Sequence, residues 1–202
     1  MFVERHVMDN NFLGRFENFE SDSMHVGAVM ICDPANGIGV RVSVFVSGCL
    51  NHCEGCFQPE TWNFKYGKPW SKEIEDAVIE ELSKPYYDGL TILGGDPFEI
   101  SNQEGLIDFI RRVKKELPEK TIWMYTGYLY DEDLVPGGKR YTDVTDEILD
   151  SIDVLVDGPF ILEQKNICLK FRGSENQRII DMKATRETGE VVLSELNKRG
   201  RW

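Results

Sequence analysis

Three of the chain's five cysteines lie within one short stretch, Gly48-Cys49-Leu50-Asn51-His52-Cys53-Glu54-Gly55-Cys56-Phe57. Their spacing is C-x3-C-x2-C, and the stretch directly follows an alternating, strand-like segment over residues 41–47. One loop therefore offers three thiolates that converge on one point, and thiolates select soft metals and iron–sulfur clusters. Three protein ligands on a four-iron cluster leave one iron open, and an open iron is a place where a second molecule binds.

A structural zinc site is the alternative that the spacing leaves open. Structural Zn²⁺ takes four protein ligands, so His52, Cys32 or Cys168 would have to complete the set. No fourth cysteine follows at short spacing, and the pattern favours a cluster over zinc. Cys32 and Cys168 stand alone in the sequence, and we expect both to be small buried hydrophobic residues.

Composition narrows the class of protein. A chain of 202 residues with 41% hydrophobic and 29% charged residues is typical of one soluble globular domain, which we expect over residues 1–202. The formal net charge of −12 argues against nucleic-acid binding, which depends on basic side chains. No apolar run approaches the roughly 20 residues that span a bilayer, and the first residues lack the features of a secretory signal. We therefore expect a cytoplasmic protein, in which clustered cysteines bind metal more often than they form disulfides.

Hydrophobic periodicity predicts alternating strands and helices between two less regular ends. Residues 1–24 are expected to form an N-terminal arm, and residues 186–202 a tail without an assigned role. Ser71 is expected to cap the first helix, and Ser101 with Glu104 has the capping-box spacing for the second. Strands are predicted over residues 41–47, 90–93, 121–126, 153–157, just before 181 and over 190–193, and helices over 72–83, about 102–117 and 145–151.

This alternation predicts an α/β fold with mostly parallel strands. In such sheets, ligands bind beyond the carboxyl ends of the strands. Four turns follow predicted strands: the cysteine loop, Gly94-Gly95-Asp96-Pro97, Tyr125-Thr126-Gly127 and Asp157-Gly158-Pro159. We therefore expect the four turns to share one rim of the sheet and to form one site.

The cysteine spacing and the glycine turn resemble those of the radical S-adenosylmethionine superfamily. Further motifs make residues 33–181 similar to the activating enzymes of anaerobic (class III) ribonucleotide reductases. The resemblance implies a partial (β/α) barrel of the radical S-adenosylmethionine type. The motifs are Val46-Ser47-Gly48-Cys49, Gly55-Cys56-Phe57, Pro59-Glu60-Thr61-Trp62, Gly94-Gly95-Asp96-Pro97, Tyr125-Thr126-Gly127-Tyr128, Val154-Leu155-Val156-Asp157-Gly158 and Arg172-Gly173-Ser174-Glu175-Asn176-Gln177-Arg178-Ile179-Ile180-Asp181.

The same resemblance implies the cofactors and their ligands. Cys49, Cys53 and Cys56 would hold a 4Fe–4S cluster, and S-adenosylmethionine would bind its open iron. No side-chain acid or base is implied, because the cofactors carry the chemistry. The residues implied to contact S-adenosylmethionine are Gly55, Cys56, Phe57, Gly94, Gly95, Asp96, Tyr125 and Thr126.

The implied reaction makes a 5′-deoxyadenosyl radical that installs a glycyl radical on the large subunit of the reductase. A flavodoxin-like or ferredoxin-like protein would donate the electron. The Asp157-Gly158-Pro159 turn and the 172–181 loop are candidates for the entrance, while a purely structural role for Arg172, Asn176 and Arg178 stays equally open. Two alternatives remain: an activase of another glycyl-radical enzyme of the formate-lyase type, and a zinc-stabilised binding module.

Overall fold

Seven strands form one sheet in this computed structural model, which describes residues 10–16 and 23–198. In chain order the strands are β1 (His25–Asp33), β2 (Arg41–Val46), β3 (Lys68–Pro69), β4 (Gly89–Gly94), β5 (Thr121–Tyr125), β6 (Val154–Asp157) and β7 (Arg178–Asp181). In space they follow the order β3-β1-β2-β4-β5-β6-β7, with β3 and β7 at opposite edges, so the sheet is open rather than closed.

Six α-helices accompany the sheet within the described ranges. The predicted cap of the helix that starts at residue 72 is confirmed, because the Ser71 side chain accepts a hydrogen bond from the Ile74 N–H. None of the described helices combines the length and apolar character that a membrane-spanning segment needs. The helices are α1 (Asn10–Leu13), α2 (Lys72–Leu82), α3 (Ile100–Glu116), α4 (Tyr130–Asp133), α5 (Thr145–Ser151) and α6 (Met182–Thr188).

The centre of the sheet is parallel, and its edges are antiparallel. β2, β4, β5 and β6 run in the same direction, while β1, β3 and β7 run against their neighbours. The predicted α/β class with parallel central strands is therefore confirmed. Because the four parallel strands point the same way, their carboxyl ends lie along one rim.

Strict alternation along the central strands gives the sheet two different faces. The first face packs against the helices and forms the main core, which includes Val44 of β2, Ile92 of β4 and Met124 of β5. The second face carries a separate small cluster, in which Phe45 and Leu93 are buried with Tyr125 against them. The helices therefore cover one face and leave the other available for the functional site.

The strand β1 was missing from the sequence prediction. Its pairing with β2 shifts register between Val26 and Ala28 and again between Met30 and Asp33. Cys32 has a left-handed backbone with φ 56° at the second irregularity. Such β-bulges break the alternation of side chains on which a sequence-based assignment depends.

Two local predictions were wrong. The helix α3 starts at Ile100, so Ser101 is inside it and caps nothing. Glu99 is the N-cap residue, and its carbonyl accepts from the Asn102 and Gln103 N–H groups. Asp96 caps the turn just before it, because its side chain accepts from the Phe98 N–H. Residues 190–193 form no strand; only a single bridge links Leu193 to Ile180.

The prediction that Cys32 and Cys168 are buried was also wrong, because both are exposed. Cys32 lies at the bulged end of β1, and Cys168 lies in a surface turn where its N–H donates to Asn166 Oδ1. The expected N-terminal arm and tail fall partly outside the described residues, at 1–9, 17–22 and 199–202. Within the tail, Asn197 donates to and accepts from the Ile179 backbone, which covers the free edge of β7.

Candidate active site

The turns that follow the four parallel strands meet at one rim, as the sequence predicts. Cys49 follows β2, Gly95 follows β4, Thr126 follows β5 and Gly158 follows β6. All four residues line a cavity of about 860 Å³. This volume lies in the range of small-molecule and cofactor sites, which is about 300–1,000 Å³.

The structure brings Cys49, Cys53 and Cys56 to the wall of this cavity. Cys49 is buried, and the other two are half-buried. Two backbone hydrogen bonds shape the loop: the Gly48 N–H donates to the Thr61 carbonyl at 2.8 Å, and the Cys56 N–H to the Cys53 carbonyl at 3.1 Å. The loop is therefore held at its base and turned back on itself, which places the three thiols on the wall of one cavity.

Burial raises the pKa of two of the thiols, Cys49 and Cys53. Desolvation raises the pKa of Cys49 to about 12. Backbone N–H groups of Asn51 and His52 act on Cys49 in the opposite direction, as does the Phe160 N–H on Cys53. Metal ligation requires the thiolate, so binding at this loop must release protons, and these N–H donors are already placed for the thiolate form.

The cavity wall carries three thiols and no histidine among the described residues. None of the three candidates for a fourth zinc ligand lies on it. Cys32 and Cys168 are elsewhere on the surface, and the His52 ring packs against Trp62 with 4.7 Å between ring centroids. Across residues 10–16 and 23–198, no three His, Cys, Asp or Glu side chains are grouped so as to hold a single metal ion.

Asp96 ties the turns of the rim together. Its Oδ1 accepts from the Phe98 N–H at 3.0 Å and the Thr126 hydroxyl at 2.8 Å. Its Oδ2 accepts from the Gly127 N–H at 2.8 Å and Asn51 Nδ2 at 3.0 Å. The carboxylate therefore connects the cysteine loop, the glycine turn and the turn after β5. The side chain also caps its own turn, because it accepts from the Phe98 N–H.

A second buried carboxylate, Glu99, accepts a hydrogen bond from the backbone of the cysteine loop. Glu99 is 3% exposed, and its Oε1 accepts from the Leu50 N–H at 2.8 Å and the Tyr128 hydroxyl at 2.6 Å. Its Oε2 forms an ion pair with Arg140 Nε at 3.2 Å. Asn102 completes the support, because its Nδ2 donates to the carbonyl of Asp96 at 2.7 Å.

Changing Glu99→Gln is expected to lower the free energy of unfolding of the metal-free protein by about 1–2 kcal/mol, because the charge that pairs with Arg140 is lost while the shape is kept. Denaturant titration followed by far-UV circular dichroism measures this change. Tyr128→Phe is the matched control, since it removes one of the hydrogen bonds to Glu99 and should cost about 1 kcal/mol or less. A Glu99→Gln protein as stable as the wild type would show that this carboxylate does not brace the loop.

Close packing explains the glycine turn. A Cβ added at Gly94 would lie 2.6 Å from the Val46 carbonyl oxygen, and one added at Gly95 would lie 2.5 Å from the Gly48 carbonyl oxygen. Gly94 also has φ 111°, a backbone conformation open to glycine. These two positions let β4 run directly beside the cysteine loop, which is what brings both turns to the same cavity.

Tyr125 offers the cavity a polar group without a protein partner. Its hydroxyl oxygen is buried, and no group within the described residues hydrogen-bonds to it. Burial raises the pKa of this phenol, so the hydroxyl keeps its proton and can donate. The Thr126 hydroxyl is different, because it donates to Asp96 and accepts from the Tyr128 N–H.

The remaining predicted contact residues divide into two groups. Cys56 and Phe57 line the cavity, but Gly55 does not. Gly55 has φ 76°, and a Cβ there would lie 3.0 Å from Leu162 Cδ1, so its role is to let the loop turn beneath that side chain. Phe57 lies on the cavity wall and is also 69% exposed, which places it at the mouth.

The 172–181 loop closes the sheet edge with its own hydrogen bonds. Arg172 donates to the Gln177 and Asn197 carbonyls, Asn176 donates to the Pro159 carbonyl, and Arg178 pairs with Asp157. These contacts favour a structural role for Arg172, Asn176 and Arg178. Arg172 nevertheless also lines the cavity.

Several supporting residues were missed in the sequence: Asn51, Glu99, Asn102 and Phe160. A signal existed for Asn102, because it lies four residues before Leu106 on the apolar stripe of α3. A polar side chain on a buried stripe needs a buried partner, and Asn102 is 1% exposed. No local pattern marks the other three, since their partners are distant in the sequence.

A family model described as a 4Fe-4S single cluster domain matches residues 35–180. Curated proteins are similar to the chain over about the same length. A protein from Vibrio cholerae is 40% identical over 149 residues, which cover 73% of this chain and 91% of that protein. A protein from Enterobacteria phage T4 is 38% identical over 159 residues, covering 77% of this chain and 93% of that protein.

A third relative, from Haemophilus influenzae, is 42% identical over 149 residues, covering 73% of this chain and 91% of that protein. All three relatives carry the name anaerobic ribonucleoside-triphosphate reductase-activating protein. The matched length includes the cysteine loop and the strands that form the rim, because the family model alone runs from residue 35 to residue 180.

Proposed function

This chain belongs to the family of anaerobic ribonucleoside-triphosphate reductase-activating proteins, and we propose that the cavity at the rim of its sheet is the site of activation. The enzyme installs a glycyl radical on the anaerobic ribonucleotide reductase. One observation carries the assignment of the site. Three thiols from one loop share a wall with the glycine turn, and neither a fourth cysteine nor a histidine lies on that wall among the described residues.

The donor set suits a 4Fe–4S cluster with one open iron. Cys49, Cys53 and Cys56 would hold three irons as thiolates, and the fourth iron would bind S-adenosylmethionine. The unpartnered Tyr125 hydroxyl supports a polar ligand in the same cavity, because a buried hydroxyl normally has a hydrogen-bond partner. The proposed S-adenosylmethionine contacts are Gly55, Cys56, Phe57, Gly94, Gly95, Asp96, Tyr125 and Thr126.

The protein's own residues supply binding, orientation and exclusion of water. Asp96 and Glu99 fix the loop, and the bonded Thr126 hydroxyl fixes the turn after β5. The Thr126 hydroxyl is therefore engaged within the rim, while Tyr125 is the free donor for the ribose. When bound, the cluster and S-adenosylmethionine would supply the one-electron radical chemistry by which a hydrogen atom is removed from a glycine of the reductase.

Two proteins complete the proposed reaction. The large subunit of the reductase offers the glycine, and a flavodoxin-like or ferredoxin-like protein gives the one electron that each radical requires. We place the reaction in the cytoplasm. The sheet draws its strands from residues 25 to 181, which supports one radical S-adenosylmethionine domain, and helices on one face only support the partial barrel of that type.

Electron spin resonance tests the proposal directly. The chain is reconstituted anaerobically with iron and sulfide, then incubated with S-adenosylmethionine, reductant and the large subunit of an anaerobic ribonucleotide reductase. We expect a glycyl radical signal that depends on every component.

The same incubation with a glycyl-radical enzyme of the formate-lyase type is the discriminating control. A signal only on that partner would overturn the assignment to the reductase. Stoichiometric zinc without iron-dependent visible absorption after reconstitution would instead favour the zinc-stabilised binding module.

A further inference from the structure

The segment between β6 and β7 folds back on itself beside the cavity. We call residues 160–174 of this segment the flap. A bridge pairs Lys165 with Ser174. Next to it, the Asn166 N–H donates to the Gly173 carbonyl at 3.1 Å, and the Glu175 N–H donates to the Gln164 carbonyl at 3.0 Å. The flap is thus a short hairpin-like projection with residues 167–171 at its tip.

The flap is fastened to the sheet. Phe171 packs edge-on against Trp123 with 5.3 Å between ring centroids. Asn176 Nδ2 donates to the Pro159 carbonyl at 2.7 Å, which fixes the turn where the flap begins. Phe160 and Phe171 both line the cavity, so the flap forms part of its wall.

The flap also contacts the cysteine loop. Leu162 lies over Gly55, and the rings of Phe57 and Phe160 are 6.2 Å apart. Lys165 Nζ lies 5.1 Å from the centroid of the Phe57 ring. The flap and the cysteine loop therefore form one continuous surface at the mouth of the cavity.

This surface is apolar and exposed. Ile167 at the tip of the flap is 89% exposed, Phe57 is 69% exposed and Leu162 is 38% exposed. Exposed apolar groups that cluster around a cavity mark interaction sites more often than isolated ones do. We call these three residues the mouth patch.

We propose that the mouth patch is the docking surface for the protein that offers its glycine to the cavity, namely the large subunit of the reductase. This inference rests on the proposed function, because it takes the substrate to be a backbone segment of another protein. Phe57 belongs both to the patch and to the cavity wall. A segment that reaches the cavity over this wall must therefore cross the patch.

Charge distinguishes the flap from the rest of the chain. The flap carries three basic side chains (Lys165, Lys170 and Arg172) against one acidic side chain, Glu163, on a chain whose formal net charge is −12. An acidic partner is repelled by the chain as a whole but not by the flap. Complementary charge of this kind selects the face on which two proteins meet.

Ile167→Glu tests the proposal because it puts a charge into the patch at a side chain outside the proposed cofactor contacts. Affinity for the intact large subunit is measured by biolayer interferometry with the reconstituted protein. We expect binding at least about tenfold weaker than wild type, which corresponds to about 1.4 kcal/mol. Partner-independent cleavage of S-adenosylmethionine with a chemical reductant should stay within about twofold of wild type.

Ile38→Glu is the matched control. Ile38 is 55% exposed and lies in the loop before β2, at the opposite end of the parallel strands. This variant should bind the large subunit like the wild type. Ile167→Glu binding that equals wild type would overturn the docking surface.

Other occupants give distinct results. Loss of self-association in analytical ultracentrifugation with unchanged affinity for the large subunit would make the patch a contact between two copies of the chain. Weaker binding of the electron donor alone would assign the patch to that protein. Either result overturns the proposal. If the wild-type protein neither binds the large subunit nor gives a glycyl signal, the proposed function itself is refuted. If the wild-type protein does both and Ile167→Glu binds equally well, only the docking surface is refuted.

Discussion

Replacing Cys49, Cys53 or Cys56 singly by Ala is expected to remove the iron-dependent visible absorption and to lower S-adenosylmethionine cleavage at least about a hundredfold. The physical reason is the number of ligands. Cys49, Cys53 and Cys56 are the proposed ligands, and loss of even a residue that supports a metal ligand typically costs about 10–100-fold. Loss of a direct ligand would leave only two thiols to hold the cluster. Absorption spectra and iron content after anaerobic reconstitution measure the effect.

Cys168→Ala and Cys32→Ala are the matched controls. Both side chains are exposed and lie outside the cavity wall, so both variants should keep the cluster and the cleavage activity. A Cys168→Ala protein that loses iron, or a Cys53→Ala protein that keeps it, would show that the ligand set is wrong. Far-UV circular dichroism of each metal-free variant separates loss of cluster from loss of fold.

Replacing Asp96 by Ala is expected to lower the free energy of unfolding by about 3–5 kcal/mol. Asp96 is 1% exposed and accepts four hydrogen bonds from three separate turns. Its removal leaves several buried donors without an acceptor, and each such group costs about 1–3 kcal/mol. Urea titration of the metal-free protein measures the loss.

Asn51→Ala is the control for Asp96, because it removes one of the four donors and keeps the carboxylate. It should cost about 1 kcal/mol. If Asp96→Ala destabilises the protein no more than Asn51→Ala does, the rim turns are held together by something other than this carboxylate.

The pH dependence of stability gives a second signature of Asp96. Burial raises its pKa from 3.8 to about 7, so the folded state binds a proton that the unfolded state has lost between these values. Stability of the metal-free protein should therefore fall as pH rises from about 4 to about 7, by at most about 1.4 kcal/mol per pH unit from this group. Asp96→Asn should reduce that slope, and an unchanged slope would assign it to other groups.

Local sequence patterns predicted strands and helices correctly where buried residues recur at regular spacing. Val42, Val44 and Val46 alternate with residues of the other face, and β2 follows with all three in the main core. The apolar stripe through Leu106 and Ile110 likewise predicted α3. Because each central strand is followed by a turn at its carboxyl end, the shared rim could also be predicted.

Prediction from local sequence patterns failed where the backbone is irregular. The bulged pairing of β1 hides its alternation, and the left-handed backbone at Cys32 coincides with an exposed thiol that was expected to be buried. The start of α3 was misplaced because Glu99, which has no capping side-chain hydrogen bond, is the N-cap residue in place of Ser101. The register shifts of β1 are set by its pairing with β2, which a single-sequence pattern does not contain.

By itself, the sequence determined that three thiols occupy one loop, that a glycine turn follows a buried strand, and that both belong to a parallel sheet. These features depend on spacing and alternation, which are local. Only the tertiary structure decided how the loop is held: by Asp96 and Glu99 from the turn and helix after β4, and by the flap from beyond β6. Those contacts join residues about 45 to 110 positions apart, and hydrogen bonds over such separations are created when the strands come together.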